Sequence, residues 1–169
     1  PPNAAQNLSA VSNPSAARPG TDEILVNEIY AQGGAGADWV EVYNGRAVPL
    51  PLAGWTLTYN NGTLQAPVTD ATVWTGAAET VPALGVLKIP LAVDLAGSAP
   101  HFVVLHDAFP STVDTVQWPA LSGTASFARI KEGCPAFELD PTPTANAANF
   151  LSTDPVKINE LNTGPLDAE

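Results

Sequence analysis

The chain has no methionine, one cysteine and two histidines, and only 6 of its 169 residues are Lys or Arg. Each scarcity closes off a class of protein. With Cys134 alone, neither an intramolecular disulfide framework nor a cysteine-based zinc site can form, and a lone cysteine reads as a small buried hydrophobe. Seventeen Asp and Glu against those six cations give a formal charge of −11. A surface of that sign repels phosphate backbones and anionic lipids, which argues against nucleic acid and membrane surfaces as partners. No apolar run approaches the roughly 20 residues of a membrane-spanning helix, so insertion into a bilayer is not expected. The opening Pro1-Pro2-Asn3 carries no basic-then-apolar leader, as expected of a mature or excised product.

Catalytic patterns are also missing. There is no G-x-S-x-G elbow, no H-E-x-x-H, no P-loop and no dinucleotide fingerprint. His101 and His106 lie five apart on a candidate strand and so face opposite sides. His106-Asp107 with Ser111 nearby lacks the glycine-rich oxyanion loop that a nucleophilic triad needs. No catalytic residue is assigned, and the chain is not expected to be an enzyme.

What the sequence does contain is one theme repeated: short β-branched or aromatic runs separated by Gly, Pro, Asn or Asp. Asp38-Trp39-Val40-Glu41-Val42-Tyr43-Asn44 alternates, placing Trp39 on a different face from Val40 and Val42. Gly54-Trp55-Thr56-Leu57-Thr58-Tyr59 alternates too and runs into Asn60-Asn61-Gly62, where Asn-Gly predicts a tight hairpin turn. Further strands are predicted at 72–75, 86–89, 102–106, 112–118 and 125–130. Proline occurs 17 times, which breaks long helices and keeps strands short. The fold class is therefore all-β, a sandwich or barrel. Residues 1–22, rich in Pro, Ala, Ser and Asn, read as an extended tail or linker, 23–149 as the folded domain, and 150–169 as a linker followed by one further strand.

That last strand closes an internal repeat. Ile158-Asn159-Glu160-Leu161 restates Val26-Asn27-Glu28-Ile29 after 132 residues, and each copy runs through a Gly-containing loop to an Asp, Asp38 or Asp167. Val156, Ile158, Asn159, Glu160 and Leu161 are thus candidates for assembly. They suit the first strand of a second module, a strand on their own sandwich, or a strand added to the edge of a neighbouring subunit.

Val26-Asn27-Glu28-Ile29, the Gly-rich loop and Asp38–Asn44 together resemble the opening of the lamin tail domain family. Leu50-Pro51-Leu52-Ala53-Gly54-Trp55-Thr56-Leu57 and Val81-Pro82-Ala83-Leu84-Gly85-Val86-Leu87 are similar to its next elements. Val113-Asp114-Thr115-Val116 and Ser126-Phe127-Ala128-Arg129-Ile130 match its final strands, and Pro141-Thr142-Pro143-Thr144-Ala145-Asn146 its exit. The likeness spans about residues 24–149 and departs in the long connection 63–79 and at Val86-Leu87-Lys88. It implies an immunoglobulin-like β-sandwich with extended N- and C-terminal segments, secreted or on the cell surface. Such modules accompany secreted hydrolases or recur as spacers and attachment units. The expected function is a non-catalytic structural or adhesive module, in a tandem array or a homopolymeric filament. The competing expectation is a carbohydrate- or surface-binding accessory module of a hydrolase.

Three sets of candidate ligand residues follow. Glu28, Asp38, Glu41 and Asn44 offer hard oxygens of the kind Ca²⁺ takes, although the same residues serve equally to pin a loop through hydrogen bonds, and no D-x-D-x-D-G loop is present. No other cofactor is implied. Trp74 and Trp118 are candidates for stacking on a sugar, whereas Trp39 and Trp55 are read as core anchors. Asn7-Leu8-Ser9 and Asn61-Gly62-Thr63 are sequons that a glycosylating host could use.

Overall fold

A computed structural model describes residues 24–31, 37–60, 71–95, 101–121 and 124–149. Every regular element among them is a strand: β1 (Ile24–Tyr30), β2 (Trp39–Asn44), β3 (Leu50–Pro51), β4 (Thr56–Asn60), β5 (Ala71–Thr75), β6 (Thr80–Val81), β7 (Gly85–Pro90), β8 (His101–His106), β9 (Thr112–Trp118), β10 (Ser126–Arg129) and β11 (Phe137–Asp140). All pair antiparallel. One sheet runs β11-β10-β1-β2-β7, a second β5-β4-β8-β9, and β3 with β6 forms a short ribbon.

The two larger sheets bury one apolar core. Val26, Ile29, Val40, Val42 and Ile89 enter it from the five-stranded sheet, and Leu57, Val103, Leu105, Val116 and Trp118 from the four-stranded one. Alternation decides these sides. In β8, Val103 and Leu105 are fully buried in the core, and in β2 the core takes Val40 and Val42. The result is a β-sandwich-like all-β domain, as the periodicity predicts.

Alternation also moves Trp39. It is 4% exposed but lies on the far side of its strand from Val40 and Val42, stacked on Tyr30 with ring centroids 5.4 Å apart and beneath the Lys88 ammonium. It is an anchor of the outer face, not of the central core. Trp55 does pack against the core, half-buried.

Two further expectations change. Tyr59 pairs with Ala71, so β4 and β5 are not joined by a two-residue turn, and Asn61-Gly62 lies outside the described residues. β3, β6 and β11 had no periodic signal. The first two are two residues long, and β11 carries Leu139 half-exposed between Glu138 and Asp140. What holds β11 is its ladder to β10 and the stack of Phe127 on Phe137, 5.0 Å between centroids.

Candidate functional site

The most unusual chemistry lies on the outer face of the five-stranded sheet. The β1–β2 register slips between Val26 and Glu28, so Asn27 is an extra residue in the ladder and Glu28 stands directly opposite Glu41. Both glutamates are fully buried. Like charges facing across a ladder repel, and burial adds a larger penalty. Burial first, offset by hydrogen bonds and reinforced by Glu28 and Glu132, pushes the Glu41 carboxyl up to about 7. Burial likewise raises Glu28, with Asp140 adding to it.

The pair is covered by residues 141–149, a strap that leaves β11 and crosses the sheet. Glu28 accepts from the Ser126 hydroxyl, from the Thr144 backbone N–H and, at 3.0 Å, from the Thr144 hydroxyl. Glu41 accepts from Asn27 Nδ2 at 2.9 Å and from the Asn146 N–H at 2.7 Å. Asn146 sits at a φ of 58°, a conformation that Asn tolerates better than most residues. Its side-chain oxygen accepts the Lys88 N–H at 2.7 Å, fixing the strap to β7, the edge of the sheet. Asn149 ends the strap by donating to the carbonyl of Arg129 at 2.8 Å and that of Asn27 at 3.4 Å.

A second polar device joins the two sheets. Beyond the bulge, β1 pairs with β10 only at Glu28 and Ile29. The Val26 N–H instead donates to Asp114 of β9, and the Val26 carbonyl accepts from Arg129 Nε of β10. Arg129 and Asp114 are themselves ion-paired at 3.0 Å, both side chains nearly enclosed. Side chains thus stand in for the ladder partner that backbone no longer supplies there.

The four candidate Ca²⁺ ligands do not converge. Glu28 and Glu41 meet, but Asp38 and Asn44 flank opposite ends of β2, and both are tied to loops. Asp38 accepts the Leu95 N–H at 2.6 Å. Asn44 donates to the carbonyls of Val48, Val81 and Pro82. Among the described residues no group of three or more His, Cys, Asp or Glu is placed to hold a metal. All four hydrogen-bond to loops or to the strap.

The tryptophans separate as well. Trp118 is 1% exposed and stacks inside the sandwich with Tyr59 and His101, so it cannot offer a face to a sugar. Trp74 is half-buried against the core. His101 and His106 do lie on opposite sides of β8: His101 is buried against the Tyr59 hydroxyl, and His106 bonds Thr58 on the outer face. Cys134 is half-buried in the β10–β11 turn. Asn7, Asn61 and the assembly strand with Val156, Ile158, Asn159, Glu160 and Leu161 lie outside the described residues.

Compared with models of known protein families and with curated proteins, the chain matches none.

Sequence patterns point to Asn27, Glu28 and Glu41 but miss Ser126, Thr144, Asn146 and Asn149 as their partners. Ser126 falls in a predicted strand, and Thr144, Asn146 and Asn149 in the Thr- and Asn-rich run 142–149, which has no period to show that it packs on the sheet. The Arg129–Asp114 pair has a fainter trace: one of only six cations falls inside an alternating strand.

Proposed function

We propose that the protein is a non-catalytic extracellular structural or adhesive module with an immunoglobulin-like sandwich. It works in a tandem array or a filament joined through its second Asn-Glu strand. The observation that carries this reading is the repeat set against the geometry of its first copy. Asn27 and Glu28 are an extra residue and a buried acid, a combination that makes sense only where an opposing acid, a serine and a strap receive them. Ile158-Asn159-Glu160-Leu161 carries the same two polar residues between apolar ones. It is written as a β1 strand, and in this reading its partners come from another module. β11, β7, β5 and β9 end the two larger sheets and are the edges on which a neighbour's strand can add. Sedimentation velocity of chain 1–169 beside a chain ending at Asp154 tests the reading. Concentration-dependent oligomers from the longer chain alone support the filament; a monomer from both at every concentration sinks the filament and leaves the tandem array.

One observation favours the carbohydrate- or surface-binding reading, though on a different surface from Trp74 and Trp118. The outer face of the four-stranded sheet places Thr75, Thr56 and His106 in one row and Thr72, Thr58, Val104 and Thr115 in the next. Those rows carry no Asp, Glu, Lys or Arg in a chain of charge −11. A neutral, hydroxyl-bearing face suits a neutral polymer. Retention on insoluble polysaccharide that Thr58→Asp abolishes supports this second reading, and no retention excludes it for the polymer tested.

A further inference from the structure

We propose that residues 142–149 form a proton-controlled latch: neutral Glu41 fastens the strap across the sheet, and ionised Glu41 loosens it. This inference concerns the module alone and does not depend on how modules assemble.

The geometry carries it in three steps. First, the strap is what keeps water from the acid pair. Glu28 and Glu41 are fully buried on the outer face of their sheet, and strap atoms of Thr144 and Asn146 lie on their oxygens. Lifting the strap hydrates both carboxyls, and hydration favours the ionised form far more than the neutral one.

Second, the surrounding charges do not balance the pair. Glu41 on β2 faces Glu28 across β1 and feels Glu132 from the β10–β11 turn; Glu28 feels Asp140 at the end of β11. Lys88 on β7 stands opposite Glu41 in the ladder, but its ammonium lies over the Trp39 ring, 5.3 Å from the centroid. Arg129 of β10 is committed to Asp114 and Val26. Ionising Glu41 under a closed strap therefore adds a second negative charge where one already costs free energy.

Third, Asn27 is able to serve both forms. Its Nδ2 donates to Glu41 Oε1, the arrangement an ionised acid wants, while its Oδ1 is buried without a partner. Turned over, that same amide oxygen accepts from a protonated Oε1.

The direction follows from linkage. The closed strap holds the Glu41 proton up to about pH 7, whereas an opened strap returns the group toward an ordinary Glu near 4.3. The closed form thus binds more protons, so closure strengthens as pH falls through that window and weakens as it rises. On deprotonation the proton passes to solvent and no other bond changes.

Amide hydrogen exchange of Thr144 and Asn146 in chain 1–169, normalised to intrinsic rates, tests the latch. Strap opening is expected to rise about tenfold from pH 6 to pH 8. In Glu41→Gln, which keeps the shape and one acceptor oxygen, the rise is expected to fall to whatever Glu28 alone contributes. Opening that is flat in the native chain, or that rises equally in the variant, overturns the proposal. Carboxyl ¹³C titration of the native protein gives a second reading that needs no variant. A Glu41 midpoint near 7 supports the latch, and one near 4.3 overturns it.

Discussion

Arg129 makes contacts that no other residue here duplicates. Its guanidinium reaches Asp114 on the opposite sheet, the carbonyl of Val26 on the neighbouring strand and the carbonyl of Cys134 in the next turn, while lying 4.4 Å from the centre of the Phe137 ring. Burying a charge is costly, and its partner's attraction offsets that cost only while both remain. Arg129→Ala leaves Asp114 enclosed without its cation and is expected to cost about 3 to 5 kcal/mol of unfolding free energy in a urea titration. Arg129→Ala combined with Asp114→Ala should recover part of that loss, because no unpaired charge remains. If the double variant is as unstable as the sum of the two singles, the pair is not coupled. The residues at this scale were half legible. An acid in a strand is visible in a sequence, but whether its partner is a metal, an arginine or a backbone N–H depends on which strands become neighbours. Asp38 and Asn44 show why: one precedes and the other ends the strand that carries Glu41, yet each serves a different loop.

The elements were legible wherever side chains alternate. β2, β4, β8 and β9 follow from their spacing because one face of each meets the core and the other does not. β11 and the strap do not alternate, since pairing and hydrogen bonds fix them rather than apolar burial. The turn between β5 and β6 is dictated in the same way, by closeness of backbone. Gly76 donates to the Trp55 carbonyl and accepts from the Gly54 N–H, and a Cβ on it would stand 2.0 Å from the Leu52 carbonyl oxygen. That obstacle is backbone and cannot swing away. Gly76→Ala is expected to lose at least ~2 kcal/mol by forcing Leu52, which is fully buried in the core, out of place. A thermal melt within a degree of the native protein would show that the segment carrying Leu52 yields freely.

At the scale of the whole molecule, both faces of the five-stranded sheet are in use. The inner face meets the four-stranded sheet, and the outer face holds the acid pair under the strap. The strap delivers the chain from β11 to Asn149 at a fixed point on β1 and β10. From there the sequence leads to Ile158-Asn159-Glu160-Leu161, which lies outside the described residues; under the proposed function that segment is offered to a neighbour from this exit. The proton latch would then govern how firmly the exit is held. Neither charge nor fold class identifies such a role, because both are shared by countless sandwiches. The repeat is what motivates the proposal, since it copies a strand whose Asn and Glu make buried contacts.

Negative-stain electron microscopy of chain 1–169 beside its Ile158→Asp variant tests that claim most directly. Ile158→Asp places a charge among the apolar residues of the repeated segment, outside the described residues. Elongated assemblies from the native chain and isolated particles from the variant are the predicted result. Isolated particles from both, at concentrations where the domain is fully folded, would contradict it.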